Sequence, residues 1–356
     1  MFMFKSKNSL DCYRLFFANA AKVLFLFTFA RFYIYFMNAM YGRINEFDFL
    51  KCVLILLMVS FHLVYIGDTY PLAKQIVYTF HMPAFLVLSG YLVNVGKDTR
   101  GFLRAMFWVF VPYAVMETGY VVMSSVLPVR ERVSGLGLPL LLDKLFLAPM
   151  GPYWYLHTWL LCSLSCYGVW TCGGGAGRPS RLVYVGMVLA VLSLGCGLMS
   201  FANAFYFFAG FLLRQCGVSF LSFFRASWLS APLFVLLCMV PGFRERATLG
   251  GAAITWSAVS FLLFVYPYVP SVLRRLCVFI GRNTLSVLLF SPVFTILTRF
   301  ARPWFMFEPS GMCFLAASLC FVVAGCLGVS WLMDRMGVSR WFFGKSRSFS
   351  RWELTD

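Results

Sequence analysis

Between residues 47 and 333 the chain divides into ten apolar stretches of helical length, and the gaps between them collect most of its lysines and arginines. The stretches run approximately 47–66, 76–95, 103–126, 154–171, 182–199, 201–216, 227–243, 249–269, 278–298 and 312–333. In hydrocarbon every backbone N–H and C=O must be satisfied within the chain, so serial apolar stretches of this length fold as helices. Composition agrees. The 356 residues are 61% hydrophobic and only 12% charged, with a mean hydropathy of +0.81, whereas about 25% charge is usual for a soluble domain. The sequence therefore predicts an all-α, polytopic integral membrane protein of about ten transmembrane helices.

The net charge of +17 does not indicate a nucleic-acid partner, because no basic patch interleaved with aromatics lies on a soluble module. Its distribution instead sets orientation. Counting Lys and Arg in alternate gaps and the tail gives fifteen on one side and eight on the other. This places both ends of the ten-span core, and the loops holding Lys97 and Arg104, in the cytoplasm. The lipid bilayer is thus a partner of most of the chain.

Three segments follow. Residues 1–42 carry Lys5, Lys7 and Arg14 ahead of an aromatic run broken by Lys22 and Arg31. They read as an interfacial helix with snorkelling cations, or as sequence upstream of a start at Met37 or Met40. Residues 43–336 form the membrane core. Residues 337–356 form a basic, aromatic tail suited to an anionic cytoplasmic leaflet.

Chemistry concentrates in the first two stretches. Asp48 to His62, DFLKCVLILLMVSFH, holds three ionisable residues in an apolar run. At about 100° per residue, Lys51 and His62 return to one helical face about 16 Å apart. Asp48 lies within about 60° of both and can pair with the lysine. Ionisable residues inside a membrane span usually face a protein interior and mark a path or a reaction site. In Phe80 to Leu92, FHMPAFLVLSGYL, His81 and Ser89 share a face two turns apart. Glu117 is the only acidic residue of the third stretch and reads equally as an arginine's partner or a site member. His157, in the aromatic GPYWYLHTW, reads as interfacial.

Other signals are weaker. The twelve cysteines are mostly scattered through apolar stretches, and Cys162 and Cys166 have no His or carboxylate beside them to complete a zinc set. No metal site is expected. GGGAGRPS, Gly173 to Ser180, lacks the lysine and spacing of a nucleotide loop and reads as a flexible connection.

Lys51 and His62, ten residues intervening, and the run Phe80–His81–Met82–Pro83, Phe85, Ser89–Gly90–Tyr91 together resemble the membrane-bound acyltransferase family 3. The resemblance is nearest to its fucose 4-O-acetylase-like branch. Echoes continue at FVPY, PYWYL, FFAGFLLR and IGRNTLSVLL, the last containing Asn283, so the likeness covers about residues 45–300. It departs at Ser291, where the family often has a histidine.

The resemblance implies transfer of an acyl group, usually acetyl from acetyl-CoA, to a hydroxyl of a cell-envelope carbohydrate or glycolipid. It also implies residence in a bacterial plasma membrane. His62 is then the expected base and His81 a second base, orienter or oxyanion donor. Lys51 and Asp48 are expected to bind the donor or hold the helix, with Ser89, Glu117 and Asn283 as further site members. The acyl-CoA is a co-substrate, and no bound cofactor is implied. A transporter or flippase of a glycan, or a silent homologue, remains the competing expectation.

Overall fold

The computed structural model describes residues 44–126 and 135–349. The predicted N-terminal extension and the last residues of the tail lie outside the described residues. From Glu46 onward the chain forms one compact unit, and among the described residues there is no strand.

The helices are α1 (Asn45–His62), α2 (Val64–Thr69), α3 (Pro71–Tyr91), α4 (Thr99–Val126), α5 (Leu138–Phe146), α6 (Trp154–Cys172), α7 (Arg178–Ala190) and α8 (Phe201–Gln215). They continue as α9 (Phe220–Phe223), α10 (Ser230–Met239), α11 (Leu249–Val265), α12 (Ser271–Arg282), α13 (Thr284–Ala301), α14 (Met312–Arg335) and α15 (Ser339–Phe342). A 3-10 turn, Gly151–Tyr153, leads into α6, and a second, Pro241–Phe243, precedes α11.

Among the described residues, four helical segments are long and apolar enough to cross a membrane: Thr99–Ser125, Leu249–Tyr268, Thr284–Phe305 and Met312–Arg335. The ten stretches of the sequence exceed that number for physical reasons. α1, with 18 residues, and α3, with 21, have the length but carry inward-facing polar groups. α10 has only ten residues, about 15 Å of rise. The first stretch also breaks at Leu63, where an extended residue (φ −68°, ψ 106°) separates α1 from α2.

The most extensive helix–helix contact joins α3 to α8. A methyl group on Gly90 would overlap the Phe207 carbonyl, and one on Gly210 would overlap the Val87 carbonyl. The two backbones therefore touch directly, the arrangement small residues permit between membrane helices. A third such contact joins α12 to α1, where a methyl on Gly281 would overlap the Asp48 carbonyl. Pro83 lies inside α3 and has no N–H for the Thr79 carbonyl four residues back. The Thr255 hydroxyl of α11 donates to the Gly251 carbonyl at 2.8 Å and lies 3.5 Å from the Thr79 carbonyl.

The described part of the tail folds back on the core. Asp334 accepts from the Ser348 N–H and hydroxyl, both at 3.0 Å, and from the Phe349 N–H at 2.9 Å. Phe343 is buried and Gly344 lies against the Trp108 ring.

The backbone contacts predict that Gly90→Ala and Gly210→Ala each destabilise the protein by about 1–3 kcal/mol, the cost of overpacking. Ala at Gly119, which has open space around it, is the control. Thermal unfolding in detergent measures this, and equal midpoints for all three variants would contradict the crossing.

Candidate active site

A cavity of about 730 Å³ opens where α1, α3, α6, α8 and the segment before α11 meet, and all three histidines of the chain line it. Each is fixed by a carbonyl. His62, the last residue of α1, has Nδ1 2.7 Å from the Met58 carbonyl, and His81 has Nδ1 2.7 Å from the Val77 carbonyl. A carbonyl only accepts, so Nδ1 carries the proton in both rings. In the neutral ring, Nε2 is then left with its lone pair free. His157 is held the other way round, its Nε2 donating to the Phe146 carbonyl at 2.9 Å.

His62 is exposed and lines the cavity, while His81 is only 2% exposed. The Tyr78 ring lies between them, with centroids 6.2 Å from His62 and 5.2 Å from His81. His157, read from the sequence as interfacial, is instead buried against the cavity. The three do not form a metal set: among the described residues no group of three His, Cys, Asp or Glu side chains could hold an ion.

Lys51 and Asp48 lie away from this cavity. Asp48, 1% exposed, is 3.2 Å from the Lys51 Nζ and 3.7 Å from the Arg282 Nε. Two cations beside a buried carboxylate offset the cost of taking it out of water. The third member, Arg282, has no sequence signal, because only the glycine-mediated approach of α12 brings it to α1. Arg282 also lines a second cavity of about 500 Å³ with Lys97, Arg104, Asn283 and Lys345. The helix α1 thus has a basic cavity beside one end and the histidine cavity at the other.

The other predicted members take supporting places. The Ser89 hydroxyl is 2.6 Å from the Tyr155 hydroxyl, off the cavity. Glu117 accepts from the Met150 N–H at 2.6 Å and so holds the turn that leads into α6. Asn283 donates from Nδ2 to the Phe279 carbonyl at 2.9 Å. Ser291 is buried in α13 and does not line the histidine cavity.

The sequence profile of the acyltransferase domain of family 3 matches residues 44–331, from α1 through most of α14. The chain belongs to acyltransferase family 3. No curated protein and no solved structure matches the chain. Family membership and the apolar helices make it a membrane acyltransferase; the matched residues contain the whole lining of the histidine cavity, whereas Lys345 and its neighbours in the lining of the second cavity lie beyond them.

The Asp48 arrangement predicts a stability order. Asp48→Ala leaves two cations facing each other and costs about 2–3 kcal/mol. Lys51→Ala costs less, because Arg282 still balances the carboxylate. Thermal unfolding gives this order, and a Lys51 variant less stable than the Asp48 variant would contradict it.

Proposed function

We propose that this acyltransferase moves an acetyl group from acetyl-CoA to a hydroxyl of a cell-envelope carbohydrate or glycolipid, with His62 as the general base. The observation that carries the reading is the His62 ring itself. Its Nδ1–H is bound to the Met58 carbonyl, leaving Nε2 open on a cavity large enough for a sugar. A hydroxyl is a weak nucleophile at neutral pH, and an imidazole is the usual group to take its proton.

The reaction balances as follows. Nε2 of His62 accepts the hydroxyl proton as the oxygen attacks the thioester carbonyl. The tetrahedral intermediate expels the CoA thiolate, and the proton passes from His62 to that leaving sulfur. With its Nδ1–H given to Val77, neutral His81 has an acceptor and no free donor. It therefore suits orienting a hydroxyl or acting as a second base better than stabilising an oxyanion.

Charge supports a division between donor and acceptor. CoA is a polyanion, and Lys97, Arg104, Arg282 and Lys345 bring positive charge to the second cavity. Lys51 marks that end of α1, about 16 Å from His62, a separation that an extended pantetheine arm covers. In the orientation read from Lys and Arg counts, the basic cavity faces the cytoplasm, where acetyl-CoA is made, and the histidine cavity lies towards the far side. The remaining helices of the bundle are then spans whose polar residues face these cavities, in a plasma membrane.

The test is transfer or hydrolysis of radiolabelled acetyl-CoA by membranes holding the protein. Loss of a general base costs about 10²–10⁴-fold. His62→Ala is expected to lose activity on that scale while its folding and membrane insertion are retained. A His62→Ala protein that stays active would sink the assignment. No signal from a folded wild-type protein would favour a silent homologue or a transporter.

A further inference from the structure

The segment Arg244–Glu245–Arg246 is held from four directions by its backbone and by one side chain. Thr79 of α3 donates its hydroxyl to the Arg244 carbonyl at 2.7 Å, and Tyr206 of α8 donates to the Arg246 carbonyl at 2.7 Å. Arg244 turns its guanidinium back onto the Cys238 carbonyl at 2.6 Å, at the end of α10. Below the segment, α11 starts with two glycines. A methyl on Gly251 would overlap the Glu245 carbonyl, and one on Gly250 would overlap the Phe243 ring. Thr248 caps the same helix by accepting from the Gly251 N–H at 3.0 Å.

The other two side chains of this fixed segment are unspent. Glu245 and Arg246 both line the histidine cavity. Among the described residues neither side chain has a hydrogen bond or an ion pair, although the two are adjacent in sequence and opposite in charge. The half-buried guanidinium of Arg246 lies over the Trp154 ring, 5.8 Å from its centroid. An aromatic face holds a guanidinium in place and leaves its N–H fork free for a planar or tetrahedral oxyanion. A second, independent observation lies on the same cavity. Asn203 is 4% exposed, and its amide oxygen has no partner among the described residues. Buried polar atoms are nearly always paired, and this one belongs to a residue of the cavity wall.

We infer that Arg246, Glu245 and Asn203 form the acceptor subsite and that the acceptor is an acidic sugar. Arg246 binds its carboxylate or phosphate, while Glu245 and Asn203 accept from its hydroxyls. The Trp154 ring, already carrying the guanidinium, offers its remaining surface to the sugar's C–H face. The inference rests on the acyltransferase reading and narrows its acceptor class. The fixed backbone makes the subsite preorganised, which lowers the ordering cost of binding.

Binding of defined sugars to the purified full-length protein in detergent, by calorimetry without acetyl-CoA, tests this apart from catalysis. The probes are methyl β-D-glucuronide, glucose 6-phosphate and the neutral methyl β-D-glucoside. At least one acidic probe is expected to bind about tenfold or more tightly than the neutral one, the scale of a charge-assisted hydrogen bond. Preference for the glucuronide assigns a uronic acid, and preference for the phosphate assigns a sugar phosphate. Arg246→Gln is expected to abolish the preference and Arg246→Lys to keep part of it. Because the comparison is made without acetyl-CoA, no transfer step enters it, which separates this claim from the catalytic one. Equal binding of acidic and neutral probes, or no binding of either acid to the wild type, overturns the inference. So does a preference that survives Arg246→Gln. If Arg246→Gln does not fold, the wild-type comparison alone decides.

Discussion

Two glycines, Gly90 on α3 and Gly210 on α8, let those helices touch backbone to backbone, and the histidine cavity depends on this contact. α3 carries His81 and Tyr78 on the cavity side, and α8 carries Asn203. A side chain at either crossing point would push apart the two walls that hold these groups. The same helices fix the segment before α11, through Thr79 and Tyr206. Pro83 leaves the Thr79 carbonyl without its helical N–H, and α11 approaches there, with the Thr255 hydroxyl 3.5 Å away. One close approach therefore positions residues from α3, α8 and α11 relative to one another.

The second constraint is charge in an apolar protein. Asp48 is buried with Lys51 and Arg282 beside it, and opposite charges at that range offset the cost of burying a carboxylate. That triad joins α12 to α1 and brings Arg282 and Asn283 to the wall of the basic cavity. In the proposed reaction Lys51 serves the donor side by holding α1. His62, eleven residues on, marks the opposite end. The spacing of the two residues matters because it sets the distance between the cavities.

Much of this is legible in the sequence. Helical periodicity alone places Lys51, Asp48 and His62 on one face, and an ionisable stripe in an apolar helix announces an interior. His81 follows from the same argument. The rest is tertiary. Arg282 reaches Asp48 only through Gly281, and a glycine's close contact leaves no periodic trace. Glu245 and Arg246 sit in a short loop, where charge is the ordinary expectation, and only their cavity-facing placement without partners sets them apart. His157 reads as interfacial because aromatic residues surround it, yet it lines the cavity together with Trp154. Helix ends also shift where a single residue, such as Leu63, adopts an extended conformation.

The central claim is that donor and acceptor occupy opposite ends of α1 and meet at His62. The most direct measurement is a structure of the protein with acetyl-CoA bound. The account predicts the nucleotide phosphates among Lys97, Arg104, Arg282 and Lys345, with the thioester reaching His62. Phosphates seated in the histidine cavity, or a thioester held away from His62, would contradict it.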